Sequence, residues 1–360
     1  MSVVRRAPRI TDLIRRPATA PARLPASPPE PLDRPIEEPP AQSGADDAFA
    51  AASVVVAEPA PLRPVIHDDA TDDYRQLEQW LARLYRNAGQ GRFDPEGIFD
   101  DAAAIGDRPG LIEALFAETF RPREPGEVFA RAALNTAIYA LRLGAGLGYS
   151  KPSLRDIGVA GMLHKIGLMR LPPEIVFATT ALDSKATAAL REHPKLARDS
   201  IRALGRRFEG VAEVVYQSQE RHDGSGYPLG LGGEQIAEPA LVLGLAAVFD
   251  AMTQPRVYRQ RVIPFVAVKE ILQRERARFP RNVLRQFFNS FSGFPPFSYV
   301  RLSSNAVAQV IASDALNPLR PSVVVVRDAA GRRTSSNETI RLVEHPSLHI
   351  VGPVSEAEAR

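Results

Sequence analysis

Apolar positions along this chain change texture twice. From Asp73 onward, Leu77, Trp80, Leu81 and Leu84 recur at three- and four-residue spacing, the period of a helix with one stripe to bury. The same periodicity predicts helices over 126–146, 153–165, 183–204, 208–220, 239–253 and 264–278. The last opens on Pro264, a first-turn position where the missing N–H costs nothing. After Gly293 the pattern shortens to β-type runs: Tyr299-Val-Arg-Leu302, Val307-Ala-Gln-Val-Ile311, Ser322-Val-Val-Val-Val326, Thr339-Ile-Arg-Leu-Val343 and Leu348-His-Ile-Val351. Turn signals such as Asp328-Ala-Ala-Gly331 separate them, which predicts a small antiparallel sheet packed on the helices. Ahead of both textures neither period survives.

Composition explains that first stretch. Thirteen of the 32 prolines fall within the first 64 residues, in runs such as Pro25-Ala-Ser-Pro28-Pro29-Glu-Pro31. Such a stretch cannot bury enough apolar surface to offset the entropy of ordering it. The reading is a disordered Pro/Ala/Arg-rich tail over 1–72, serving as a tether or as a Pro-rich docking segment. A mainly α fold follows, with a helical domain over 73–292 and a small β subdomain over 293–360.

The remaining composition narrows the chemistry. With 44% apolar and 24% charged residues the chain is an ordinary globular one. It has no cysteine, so a disulfide framework and a thiolate metal site are both excluded. Any metal would have to sit on carboxylates and on the six histidines, His67, His164, His193, His222, His345 and His349. A formal charge of +3 gives little reason to expect DNA as a partner. The arginines at 5, 6, 9, 15 and 16 precede no apolar stretch, and the longest apolar runs, 48–57 and 240–249, fall far short of the roughly 20 residues that span a bilayer. The expectation is a cytoplasmic protein with no membrane span.

The most informative segment is Glu220-Arg-His-Asp-Gly-Ser-Gly-Tyr-Pro228-Leu-Gly-Leu-Gly-Gly-Glu234, where a helix is broken by a glycine-rich loop. Gly224 and Gly226 permit backbone conformations closed to other residues, Pro228 stiffens the exit, and a loop of this kind can bring N–H groups to a phosphate. Asp223-Gly-Ser-Gly-Tyr-Pro228 resembles the signature segment of the HD-GYP family almost letter for letter. Upstream, Leu163-His164-Lys165-Ile166-Gly167-Leu168 is similar to the family's Leu-His-Asp-Ile-Gly-Lys, and Glu192-His193-Pro194 to its Thr-His-Pro step. Downstream, Ala246-Ala247-Val248-Phe249-Asp250-Ala251-Met252-Thr253, followed by Arg256, Tyr258 and Arg259, resembles Ala-Asp-Val-Phe-Asp-Ala-Leu-Thr and Arg-Pro-Tyr-Arg. The resemblance covers roughly 120–355 in the family's order. It implies an HD-type helical bundle and metal-assisted hydrolysis of cyclic di-GMP, in which metals held by His and Asp activate water.

Carried over residue by residue, the resemblance also implies that most of that machinery is absent. Ala132 stands where the first histidine would be, Lys165 replaces the aspartate of the HD doublet, and Leu168 replaces the lysine after it. Ser218 and Gln219 replace the paired histidines before the signature, and Ala247 replaces the late aspartate. Only His164 and His193 remain as metal remnants. A protonated amine has no lone pair and repels a cation, and catalysis at such a metal wants at least three protein ligands. No catalytic residue and no cofactor are therefore expected, with divalent Fe or Mn entering only if activity is retained. Asp223, Gly224, Gly226, Tyr227, Pro228, Asp250, Arg256 and Arg259 stand as candidate ligand-binding residues. Arginine can pair bidentately with phosphate, and an aspartate can accept from a guanine edge. The expected function is a non-catalytic regulatory or protein-interaction module in bacterial signalling. The alternatives are a cyclic di-GMP receptor that does not hydrolyse and a phosphodiesterase with residual activity. The candidate partners are cyclic di-GMP and another signalling protein meeting the loop.

Overall fold

The computed structural model describes residues 69–123, 127–254, 262–291, 293–313, 317, 319–334 and 338–359. The expected tail, up to residue 68, and the candidates Arg256 and Arg259 lie outside these. The first described helix, α1 (Ala70–Gly89), starts where the Asp69 side chain accepts from the Thr71 and Asp72 N–H groups, satisfying donors that have no partner inside the helix. It buries the anticipated stripe of Leu77, Trp80, Leu81 and Leu84. Two further helices, α2 (Ile98–Gly106) and α3 (Pro109–Glu118), lead to α4 (Val128–Gly146), which is buried around most of its circumference from Ala133 to Leu141. A helix apolar on every side belongs in the middle of a core, and α1, α3 and α5 (Lys151–Leu163) all pack on α4.

The approach of α4 and α5 is tightest at Gly161. A Cβ built on Gly161 would lie 2.4 Å from Ala137 Cα, so only hydrogen fits there. After α5 the chain makes a 3-10 turn (Ile166–Arg170), a short helix α6 (Pro173–Val176), then α7 (Ser184–Leu190) and α8 (His193–Arg202). The continuous helix predicted over 183–204 is thus two helices. Pro194, in the first turn of α8, supplies no N–H to continue the α7 ladder, so the chain turns at Arg191 and Glu192 and restarts. Next come α9 (Glu209–Gln217), the glycine-rich loop, and α10 (Glu238–Thr253), followed by α11 (Pro264–Arg274) and α12 (Arg281–Phe291).

Phe116, Phe120, Tyr139, Phe249, Phe287 and Phe291 pack mostly edge to face with centroids 4.8–6.4 Å apart. This tilts ring edges onto ring faces as their quadrupoles favour. The C-terminal region is a five-stranded antiparallel sheet in the order β4-β3-β2-β1-β5. Its strands are β1 (Tyr299–Leu302), β2 (Val307–Ala312), β3 (Ser322–Arg327), β4 (Thr339–Arg341) and β5 (Ile350–Val354), with α13 (Glu356–Ala359) closing the chain. One face buries Val300, Leu302, Ala308, Val310 and Val323. Phe265 of α11 joins that cluster, its ring stacked 4.9 Å from Phe294. The sheet therefore packs on the helices, as the alternation in sequence anticipated.

Candidate functional site

The ends of α5 and α9, the start of α8 and the glycine-rich loop converge on one locality. His164 caps α5, is 1% exposed, and places Nδ1 2.7 Å from the Gly161 carbonyl. His193 opens α8, is 8% exposed, and places Nδ1 2.9 Å from the Leu190 carbonyl. A carbonyl can only accept, so Nδ1 carries the proton in both rings and Nε2 presents a lone pair. Burial, then the Lys165 ammonium, hold the His164 imidazole well below its ordinary value. Burial likewise lowers His193 to about 4, against the opposing Leu190 carbonyl and with a further push from Lys165. Both rings are neutral at pH 7. Among the described residues, no hydrogen-bond partner reaches the buried His164 Nε2.

Backbone contact joins the two histidine segments. A Cβ on Gly167 would lie 2.0 Å from the His193 carbonyl oxygen, so the turn after Lys165 lies directly against the start of α8. Tyr227 from the glycine-rich loop meets the His193 ring at 6.2 Å, edge to face, and the Arg191 guanidinium lies 5.4 Å from the Tyr227 centroid. Of the family positions read as replaced, Ser218 is buried and its hydroxyl donates to the Val215 carbonyl of its own helix. Ala132 and Ala247 end at Cβ, Leu168 is buried as a hydrocarbon, and Gln219 accepts the Tyr227 N–H on its backbone oxygen.

These residues do not fit a catalytic metal. The donor set consists of two neutral imidazoles beside an ammonium, and among the described residues no three His, Cys, Asp or Glu side chains converge as metal ligands. Two nitrogens fall short of the three protein ligands that a catalytic zinc-type site keeps.

The loop is organised by a residue the sequence reading passed over. Glu220 is wholly buried, and its carboxylate accepts from the N–H groups of Leu229 at 2.6 Å and Leu231 at 3.0 Å. Burial raises its carboxyl above the usual range while those N–H groups pull it back. Its sequence signal was an acid at a helix C-terminal end, where the macrodipole disfavours negative charge and another partner is called for. Gly226 passes so close to this residue that a Cβ would lie 2.4 Å from Glu220 Cα. Asp223 turns inward on the loop, accepting from Ser225 N and Oγ, while Gly224 takes a φ of +78°. Pro228 follows Tyr227 through a cis bond, and Leu229 is left 53% exposed at the tip. Many of the backbone donors anticipated for a phosphate are thus engaged inside the protein.

Asp250, expected near a nucleotide, is instead a core residue at 3% exposure. It accepts from Asn135 Nδ2 at 3.0 Å, and Asn135 Oδ1 in turn accepts from the Tyr74 hydroxyl at 2.6 Å. That chain ties α10, α4 and α1 together.

Comparison with known proteins places these features. Residues 121–283 match the family model described as an HD domain, and 299–360 match a KOW domain associated with HD domain. A Borreliella burgdorferi protein named cyclic di-GMP phosphodiesterase PdeB is 25% identical over 53% of this chain and 50% of its own length. A Pseudomonas aeruginosa protein named cyclic di-GMP phosphodiesterase PA4108 is 29% identical over 50% of this chain and 44% of its own. The chain therefore spans about half the length of these curated relatives. Among solved structures, Bd1817, described as an HDG"Y"P protein from Bdellovibrio bacteriovorus, aligns over 61% of this chain and 71% of its own with 14% identity and a TM-score of 0.48.

Proposed function

From the premise that this chain belongs to the HD-domain family, with relatives named cyclic di-GMP phosphodiesterases, we propose that it is a non-catalytic signalling module of the cytoplasm. It keeps the family's frame and signature loop and does not hydrolyse the nucleotide. The observation that carries this reading is the pair of neutral imidazoles beside Lys165, with no third ligand converging among the described residues. Water attacks a phosphodiester at such a site only when a metal activates it and offsets charge on the phosphate, and an ammonium does the second task weakly and the first not at all.

The loop then serves recognition. Its tip presents Leu229 and the Tyr227 ring with Arg191 beside it, a combination of apolar, aromatic and guanidinium groups typical of an anchoring patch. The leading use is contact with another signalling protein, and replacing Tyr227 with alanine abolishes capture of that partner. A second use, binding cyclic di-GMP without cleaving it, is favoured by the names of the relatives. Arg256 and Arg259 are the next residues to change on that reading. The domain limits that go with the proposal are 73–292 and 293–360.

Equilibrium dialysis of the full chain against cyclic di-GMP, with and without Mn2+, followed by chromatography of the nucleotide, tests the assignment. Nucleotide recovered intact is the expected result. Retention by the protein would select the receptor use, and no retention the protein-interaction use. Linear or mononucleotide product would overturn the proposal.

A further inference from the structure

The signature loop is held by unlike means at its stems and at its crest. At the stems backbone meets backbone: the Tyr227 N–H donates to the Gln219 carbonyl and the Gly233 N–H to the His222 carbonyl. Between them the N–H groups of Leu229 and Leu231 turn inward to the Glu220 carboxylate, and the intervening Gly230 N–H also favours its charged form. Gly230 takes a φ of +65°, the left-handed conformation through which successive N–H groups come to one side and form a concave nest for an anion. The carboxylate that fills this nest is wholly buried. Among the described residues, the neighbouring Arg221 guanidinium donates to the Ser218 and Glu220 carbonyls and not to that carboxylate.

We propose that residues 229–231 form an oxyanion site that Glu220 occupies as a tethered ligand, so that the crest of the loop is ordered only while an anion fills the nest. Nothing else favours a carboxylate at this point. Glu220 lies just past the C-terminal end of α9, where the macrodipole disfavours negative charge, and burial opposes the charge further. Charge-assisted N–H bonds from the nest counter both. Gly226, packed against the Glu220 Cα, keeps the loop within reach of this side chain. Because the occupant is covalently attached, its high effective concentration keeps free phosphate and free carboxylates out. An external phosphate therefore meets side chains of the loop and not the backbone of its crest, while Leu229 is presented at the exposed tip by an anion that belongs to the chain itself.

The test is amide exchange at Leu229, Gly230 and Leu231 in the full chain at pH 7, read by NMR with sodium formate or, as the ionic-strength control, sodium chloride. In Glu220→Ala, where the missing carboxylate leaves room for formate, these amides are expected to exchange at least about tenfold faster than in wild type. Formate, but not chloride, then restores much of the protection. Glu220→Gln, which fills the nest with a neutral amide, also exchanges faster than wild type and gains nothing from formate. In wild type neither formate nor inorganic phosphate moves the signals of these residues. Wild-type protection in Glu220→Ala would overturn the proposal, as would formate acting no better than chloride, formate protecting Glu220→Gln equally, or phosphate displacing the wild-type signals. Should Glu220→Ala fail to fold, Glu220→Gln decides by its exchange alone, and wild-type rates there would show that no anion is needed. Because no nucleotide is present, failure here is distinct from failure of the proposed function, which hydrolysis by the wild type would reveal.

Discussion

Glu220 shows what a single buried carboxylate does for the signature loop. The buried Glu220 carboxylate holds two backbone N–H groups, and Glu220→Ala removes the acceptor of the Leu229 and Leu231 N–H groups. The expected loss is about 1–3 kcal/mol, with faster amide exchange at both residues; unchanged exchange would show that the loop is held by other means. His193 supplies a pH dependence. Its folded value of about 4 lies below the ordinary 6.5, so the unfolded chain binds the proton more readily. The contribution is complete above pH 6.5 and is lost as pH falls towards 4, at up to about 1.4 kcal/mol per unit. Urea midpoints at pH 7 and pH 5 should therefore differ more for the wild type than for His193→Gln, and equal differences would contradict the burial argument. At this scale the sequence was informative about identity and poor about direction. The His193 and Tyr227 rings meet across the loop, whereas Asp250 faces the core, where Asn135 and Tyr74, remote in sequence, supply its polar chain.

Between elements, the polar chain Asp250–Asn135–Tyr74 is the most consequential contact. Asn135→Leu would leave a buried carboxylate without that donor, for which a loss of about 3 kcal/mol is expected. A change below about 0.5 kcal/mol in a denaturation curve would mean that Asp250 finds full compensation elsewhere. Gly167→Ala places a methyl 2.0 Å from the His193 carbonyl, so α8 must shift away from the 3-10 turn. Overpacking of this kind costs about 1–3 kcal/mol and should displace the His193 ring signals in an NMR spectrum. The helices were legible wherever apolar spacing was regular, as in α1, α4 and α10. The break between α7 and α8 was missed because the apolar period runs on through Arg191 and Glu192 while the missing Pro194 N–H ends the hydrogen-bond ladder. Period and ladder are separate requirements, and here they disagree.

For the whole molecule, Phe265 and Phe294 form a seam between the sheet and the helical body, with Phe297 under Arg121 beside it. Removing the half-buried ring by Phe265→Ala is expected to cost about 2 kcal/mol and to separate unfolding of the sheet from that of the helices, seen as two transitions in place of one. A single unshifted transition would mean that other contacts hold the two parts. The change from helices to strands was readable from the switch in period near Gly293. The loss of catalytic chemistry is the claim on which the account turns, and a single-turnover assay addresses it most directly. Full-chain protein in excess over labelled cyclic di-GMP, with Mn2+ or anaerobic Fe2+, is followed by chromatography over hours. The account predicts intact nucleotide throughout, while linear dinucleotide appearing in proportion to protein, and lost in His164→Ala, would contradict it.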